Sequence, residues 1–110
     1  LPFSKLLTEL NCKNITVNYD IGNSAAQGFD SSDEMSYYGH KITDIHIKDR
    51  LLAGGPVTLG EGDADFSAFF NKLKEFNYKG PFIMQAYRDE EGLEIFKKQL
   101  ARVKPYLESL

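Results

Sequence analysis

The 110-residue sequence lacks an excess of positive charge, since 13 Lys and Arg residues face 16 Asp and Glu residues and the formal net charge is −3. This balance gives no electrostatic footprint for DNA, RNA or an anionic membrane surface. It also lacks any apolar run near the roughly 20 residues that a membrane span requires. We therefore expect neither a nucleic acid nor a membrane among its partners.

Cysteine is almost absent as well, with Cys12 as the single example. One thiol excludes an internal disulfide framework and is typical of a reducing compartment, so we expect a cytoplasmic protein. The chain begins at Leu1 without a methionine, and we expect a trimmed piece in which a missing leader is uninformative. An apolar content of 42% is enough for one small domain, residues 1–110, with its own core.

Several catalytic motifs are missing. The glycines at Gly54-Gly55, Gly60 and Gly62 form neither GxGxxG nor a P-loop, and we interpret them as tight-loop residues. Ser24 lacks a nucleophile elbow, and no Ser-His-Asp signature is present. These absences give no support to dinucleotide binding, phosphate cradling by a P-loop or serine hydrolase chemistry.

What the sequence does contain is strand-like alternation. The stretch Ile42 to Arg50, ITDIHIKDR, places Thr43, Ile45 and Ile47 on one face and a polar set on the other. That polar set is Asp44, His46 and Lys48, together with Ile42. Similar alternation predicts two more strands, at Ile15 to Asp20 and Phe82 to Tyr87.

Helix patterns surround these strands. Two predicted helices carry apolar stripes: in Leu1 to Leu10 the stripe is Phe3, Leu6, Leu7 and Leu10, and in a helix from about Asp89 it is Leu93, Phe96, Leu100, Val103 and Leu107. Pro105 should kink the last helix or restart it near its end. Between them, Ser31 and Glu34 form a capping box for a short helix to about Tyr38, with Gly39 as its stop. Asp63 or Asp65 caps another helix, with the stripe Phe66, Phe69, Phe70, Leu73 and Phe76. Residues 21–30 and 51–65 are predicted loops.

The resulting order is helix, strand, helix, strand, helix, strand, helix. This alternation predicts an α/β fold with parallel strands joined by right-handed crossovers. Polar side chains then collect at the carboxyl ends of the strands, where Asp20, His46 and Gln85 fall. Aspartate and histidine are ligands for divalent ions such as Zn²⁺ or Mn²⁺, and an amide oxygen is a weaker one.

Three further residues extend this candidate site. Lys48 and Arg50 could hold an anionic substrate group, and Asn23 could bond a hydroxyl. Each residue also has a plain structural interpretation: Asp20 as a turn cap, His46 as an interior histidine, Gln85 as structural, and the two cations as solvated. Taken together at successive strand ends, they favour a site.

The segments NYDIGNSAAQG, DIHIKDR and VTLGEGDADFSAFFNKLKEFNYKGPFIMQ resemble the carboxyl-terminal part of the xylose isomerase-like sugar isomerase/epimerase family. Within it they are most similar to L-xylulose- or L-ribulose-5-phosphate 3-epimerases and hexulose-6-phosphate isomerase-like proteins. The resemblance implies an eight-stranded βα barrel, which typically needs about 250 residues. The chain would supply its last three βα units, preceded by one helix.

The resemblance also implies one divalent metal, Mn, Mg, Zn or Co, held by Glu, Asp, His and Glu. Asp20 matches the Asp and His46 the His, while the first Glu would lie upstream of Leu1 and Gln85 occupies the position of the last. In the family the two glutamates exchange the proton α to a carbonyl while the metal stabilises the enediolate. A glutamine cannot act as that base. Lys48 and Arg50 become candidates for contacts to the substrate or its phosphate, and Asn23 stands where some relatives place a substrate-contacting His.

The resemblance implies that the chain is a piece of a metal-dependent sugar-phosphate isomerase or epimerase and that this piece is inactive by itself. Its ligand would be a small sugar or sugar phosphate. A divalent metal would belong to the complete barrel, and this part of the barrel would bind it or be without it. Its open barrel edges predict association, as a homo-oligomer or with the rest of the barrel. An alternative is a catalytically silent sugar- or metal-binding barrel. The endonuclease IV-like branch is less favoured, because the chain has only two His and an acidic balance.

Overall fold

A computed structural model describes residues 2–85 and 92–110. The helices and strands follow one another as α1 (Pro2–Leu10), β1 (Val17–Asp20), α2 (Ile21–Ala26), α3 (Ser31–Tyr38), a 3₁₀ turn (Gly39–Lys41), β2 (Ile42–Ile47), β3 (Asp49–Arg50), β4 (Pro56–Val57), α4 (Phe66–Glu75), β5 (Phe82–Met84) and α5 (Leu93–Glu108). Two predicted ends, the strand's at Tyr87 and the helix's at Asp89, lie outside the described residues.

The main sheet has three parallel strands in the order β1-β2-β5, which confirms the predicted α/β fold with parallel strands. Within the described residues, β1 and β5 each pair on one side only. A second, two-stranded antiparallel sheet joins β3 to β4 inside the segment predicted as a loop. This small hairpin follows β2 at its carboxyl end and therefore lies where the site residues are expected.

A bulge in β2 overturns part of the predicted alternation. Val17 pairs with Ile42 but Asn18 pairs with Asp44, so Thr43 is the extra residue on its strand. The bulge turns Ile42 to the buried face beside Ile45 and leaves Thr43 exposed. The Thr43 hydroxyl donates to Thr16 Oγ1 at 2.9 Å instead of packing in the core. Alternation resumes after the bulge, with Asp44 and His46 on the open face.

The core lies between this sheet and α4, whose predicted apolar stripe is confirmed. Phe69 and Phe70 are fully buried, and Leu73 lies beside them. The ring of Phe69 stacks on Tyr19 of β1, with 5.1 Å between the ring centroids. Of the two predicted caps, Asp65 begins the helix by accepting the Ala68 amide at 3.0 Å.

The segment predicted as a loop after β1 instead forms the short helix α2. Asp20 ends β1 and caps α2, because its Oδ1 accepts the Asn23 amide at 2.8 Å. Ile21 and Ala26 are buried, so tertiary packing stabilises six residues whose own helix propensity is weak. Gly22 is required here, since a Cβ would lie 2.9 Å from the Lys48 backbone carbon.

Helix α3 has the predicted bounds but not the predicted cap. Asp30, not Ser31, is the N-cap, and its Oδ1 accepts the Asp33 amide at 3.0 Å. Glu34 is buried and accepts hydroxyl hydrogen bonds from Tyr19, Ser24 and Tyr38, so it is not available for a capping box. Burial, reinforced by Glu34, raises the pKa of both tyrosines above the ordinary tyrosine value. Gly39 was predicted to end the helix, but it does not adopt a left-handed conformation and instead begins the 3₁₀ turn.

The two terminal helices bury little of their apolar stripes. In α1 only Leu7 is buried, while Phe3, Leu6 and Leu10 are 46%, 49% and 49% exposed. In α5 the buried residues are Gln99 and Val103, while Leu93, Phe96 and Leu100 are 65%, 39% and 39% exposed. Pro105 lies inside α5, which continues to Glu108. None of the helices in the described ranges is long and apolar enough to cross a membrane.

Candidate functional site

The predicted site residues lie at the carboxyl ends of the three parallel strands. Asp20 and His46 are register partners in the β1–β2 pair, and His46 is in turn the partner of Ile83. Register partners project from the same face of a sheet. Gln85, two residues after Ile83, therefore shares that face, and its amide donates to the Ile47 carbonyl at 2.9 Å. The sheet thus places Asp20 and His46 side by side on its open face, with Gln85 two residues beyond their row, after the end of β5.

The donor chemistry of Asp20 and His46 fits a divalent metal in part. The Asp20 carboxylate uses Oδ1 for the Asn23 amide, and the His46 side chain is 18% exposed with Nε2 3.4 Å from Asp44 Oδ2. Across residues 2–85 and 92–110, no group of three His, Cys, Asp or Glu side chains is arranged to hold an ion. Two ligands of suitable type are therefore present, and a complete set is not formed by the described side chains.

Asn23 and Arg50 are brought together, and their contact differs from the predicted roles. Arg50 Nη1 donates to Asn23 Oδ1 at 2.9 Å. The Asn23 backbone amide is already bonded to Asp20, so one short network joins the end of β1 to the β3 arginine. Asn23 was predicted to bond a hydroxyl, and its side-chain amide oxygen instead accepts a hydrogen bond from a protein cation.

A backbone carbonyl holds the other side of the Arg50 guanidinium. Nε and Nη2 both donate to the Gly54 carbonyl, at 3.0 Å and 2.7 Å. This carbonyl lies in a tight turn. In the turn, the Leu51 carbonyl accepts a hydrogen bond from the Gly54 amide, and the Leu51 amide donates one to the Gly55 carbonyl. Lys48 lies closer to the sheet, with its Cγ packed against Gly22. Both cations thus lie near the carboxyl end of β2, as predicted.

One residue of importance was missed by the sequence prediction. Asp49 is almost fully buried, and its carboxylate accepts four backbone amides: Arg50 and Ala64 at Oδ1, and Gly60 and Gly62 at Oδ2, at 2.9–3.1 Å. It therefore fixes the segment 60–64 against β3. A signal was available, because Asp49 continues the buried positions Ile45 and Ile47 at a spacing of two. An acid at a buried strand position implies a specific set of hydrogen-bond donors.

The fold and site define a class: βα units that present polar and ionisable side chains at the carboxyl ends of parallel strands. The family model described as "Xylose isomerase-like TIM barrel" matches residues 3–106, and the chain belongs to this family. The match covers nearly the whole chain and confirms the resemblance carried by the NYD, HIKD and LGEGDADF segments.

Two bacterial relatives share this sequence region. Both carry the name "Putative L-ribulose-5-phosphate 3-epimerase SgbU". The Haemophilus influenzae protein is 34% identical over 99 residues, covering 78% of this chain and 33% of its own length. The Escherichia coli K12 protein is 34% identical over 92 residues, covering 74% and 32%. The chain therefore spans about a third of the length of these curated relatives.

Solved structures show the same fold in larger chains. The IolI protein, in a structure with a bound zinc atom, superposes with a TM-score of 0.74 at 23% identity, over 94% of this chain and 42% of its own. A D-tagatose 3-epimerase-like protein gives a TM-score of 0.65 at 25% identity, over 88% and 36%. The chain therefore has the fold of part of a βα barrel.

Proposed function

We propose that the chain is part of a metal-dependent isomerase or epimerase that acts on a sugar phosphate and moves the proton α to its carbonyl. The observation that carries this proposal is the register pairing of Asp20 with His46 at the ends of β1 and β2. Membership of the xylose isomerase-like family and the names of the two bacterial relatives support it. The low cysteine content supports placing the reaction in the cytoplasm.

Asp20 and His46 would hold the ion as a carboxylate oxygen and an imidazole nitrogen, a donor pair that suits Mn²⁺, Zn²⁺ or Co²⁺ and, less well, Mg²⁺. When bound, a divalent ion polarises a carbonyl and eases loss of the neighbouring proton. Asp44, whose Oδ2 lies 3.4 Å from Nε2 of the imidazole, would orient His46. Lys48 and Arg50 would hold the anionic end of the substrate.

Gln85 limits what this chain does alone. Its amide can donate and accept hydrogen bonds but cannot take a proton from carbon. A missing general base typically lowers a rate by ~10²–10⁴-fold. We therefore expect the chain by itself to be inactive, with base and remaining ligands supplied by other residues of a complete barrel.

The test of the metal site is paramagnetic broadening by Mn²⁺ in amide NMR spectra of the 110-residue chain. Signals of residues beside Asp20 and His46 should broaden first at substoichiometric Mn²⁺, and His46→Ala should abolish this selectivity. His40→Ala is the matched control, because His40 is exposed in the 3₁₀ turn at the opposite end of β2. Equal broadening in the two variants, or broadening centred elsewhere, would refute the site.

The alternative, a catalytically silent sugar- or metal-binding barrel, is favoured by Gln85 at the expected position of a glutamate. Gln85→Glu separates the two proposals, since a second carboxylate beside Asp20 should tighten Mn²⁺ binding if this position faces the ion. Calorimetric titration measures the affinity, and the melting temperature reports on the fold. Unchanged affinity would remove Gln85 from the site. In a protein that contains the complete barrel, unchanged deuterium exchange at the carbon α to the carbonyl of L-ribulose 5-phosphate, despite tighter binding of the metal, would favour the silent barrel.

The partners of the chain follow from its uncovered surfaces. β1 and β5 each lack a second neighbour among the described strands, and α1 and α5 expose apolar stripes. Unpaired strand edges and apolar patches favour association. We propose that the chain associates through them, with itself or with complementary βα units.

A further inference from the structure

Arg50 is held more firmly than a solvated arginine would be. Three hydrogen bonds fix its guanidinium, two to the Gly54 carbonyl and one to Asn23 Oδ1. Both acceptors are neutral, so these bonds orient the group without cancelling its charge. None of the ion pairs among the described residues involves Arg50. The result is an oriented, uncompensated positive charge on a partly buried side chain.

The bonding pattern also leaves donors free. The three bonds use Nε–H and one N–H on each terminal nitrogen, so a second N–H remains on both Nη1 and Nη2. Each of these two N–H groups can donate a charge-assisted hydrogen bond to a phosphate or carboxylate oxygen. Because the side chain is already ordered, binding an anion costs less rotamer entropy than it would at a flexible lysine.

We propose that Arg50 is the preformed receptor for the phosphate group of the substrate and that Asn23 is its positioning residue, with the Gly54 carbonyl as the second support. The assignment rests on the proposed sugar-phosphate function and changes the role first predicted for Asn23. Asn23 acts through Arg50 and does not need to touch the sugar. Phosphate is favoured over a neutral hydroxyl because an unpaired cation gains most from a dianion.

This arrangement requires a neutral hydrogen-bond acceptor at residue 23. A neutral acceptor orients the guanidinium and keeps its charge, whereas a carboxylate there would orient and neutralise it. Asn23→Asp is nearly isosteric and should therefore keep Arg50 in place while removing its affinity for anions. This separates a role in anion binding from a merely structural role, which the carboxylate would fulfil equally well.

The experiment follows the Arg50 Nε–Hε signal by NMR in EDTA, so that its result does not depend on the metal site. The probes are inorganic phosphate, ribose 5-phosphate, ribose and acetate. Phosphate and ribose 5-phosphate should shift the signal, while ribose should not and acetate should bind at least tenfold more weakly. Arg50→Lys should weaken ribose 5-phosphate binding, followed on neighbouring amides, about tenfold, as the loss of a charge-assisted hydrogen bond implies. Lys97→Gln, which removes an exposed positive charge on α5, should leave it unchanged.

Asn23→Asp provides the second measurement if Arg50→Lys fails to fold. Its Arg50 signal should remain dispersed, as in the parent, yet no longer respond to phosphate. A full response in this variant, or equal loss in Lys97→Gln, would overturn the assignment. Ribose binding as tightly as ribose 5-phosphate, or acetate as tightly as phosphate, would overturn it as well. Failure of Mn²⁺ broadening together with a phosphate response at Arg50 would count against the proposed reaction alone.

Discussion

Helix α4 and helix α5 carry the same kind of apolar stripe, but the stripe of α4 is buried and most of the stripe of α5 is exposed. Phe69, Phe70 and Leu73 of α4 are buried between the sheet and neighbouring helices, whereas Leu93, Phe96 and Leu100 of α5 face solvent. The neighbours explain the difference, because α4 packs against β1, α3 and α5, while the outer face of α5 has no described element on it. Helical periodicity therefore identifies a face that needs a partner, but not whether this chain supplies it.

The sharpest test of this comparison is a pair of phenylalanine truncations. Phe69→Ala should lower the free energy of unfolding by about 3–5 kcal/mol, since it empties a fully buried position and removes the stack on Tyr19. Phe96→Ala on α5 should change it by less than about 1 kcal/mol. Urea unfolding followed by circular dichroism measures both. Similar losses would mean that α5 is as well packed as α4.

The same contrast applies to charged groups. Asp49→Asn keeps the shape but replaces one acceptor oxygen with an NH₂ group facing backbone amides, so it should destabilise the chain by roughly 1.5–3 kcal/mol. Glu94→Gln on α5, whose side chain is 71% exposed, is the matched control and should have no measurable effect. The midpoints of urea unfolding measure the stability of both variants. If Asp49→Asn is as stable as the parent chain, the segment 60–64 is held by other contacts.

The exposed stripes themselves can be tested through association. Sedimentation of the parent chain should reveal species larger than a monomer as concentration rises. Leu6→Lys combined with Leu93→Lys should weaken this association at least tenfold, about 1.4 kcal/mol, because it places charge on both apolar faces. Thr8→Lys, on the exposed polar side of α1, serves as the control. A parent that stays monomeric at high concentration would contradict the proposed interface.

The smallest effect concerns Tyr78, at the amino-terminal end of β5. Its hydroxyl donates to the Pro81 carbonyl at 2.6 Å, and burial, with a smaller contribution from Asp44, raises its pKa to about 12. Because the unfolded tyrosine ionises near 10.0, the stabilisation is complete below that pH and is lost as the pH rises towards 12. Tyr78→Phe should flatten this part of the stability profile slightly. Denaturant unfolding between pH 9 and 12 measures it, and superimposable profiles would argue against the shift.

The sequence predicts the parts of the molecule that repeat a simple period. The three parallel strands and the α4 stripe follow from spacing of two and of three or four, and both are present. The positions of Asp20, His46 and Gln85 at strand ends follow from the same topology. Their role as a metal site stays a prediction, as does the identity of the sugar.

The features that could not be predicted depend on contacts between distant segments. The bulge at Thr43 is a property of the pairing between β1 and β2, in which β2 has one residue more than β1. Helix α2 forms because Asp20 caps it and because its apolar residues pack into the core. Asn23 reaches Arg50 only after the hairpin turns back at Gly54. No local pattern encodes these meetings, so Asn23 was expected to face the substrate.

The Asp49 carboxylate has a consequence for engineering. Every bond it makes to the segment 60–64 goes to a backbone amide, so a side chain there that makes no contact of its own can change without the loss of these bonds. Glu61, which is exposed, could be randomised while the backbone of this segment stays fixed. Three residues are exceptions. Gly60 has a φ of +91°, which strains any other side chain, and a Cβ at Gly62 would overlap the Asp49 carboxylate. Asp63 Oδ2 accepts the Leu52 amide at 2.6 Å. A library built on this segment should hold Asp49, Gly60, Gly62 and Asp63 constant and vary Glu61.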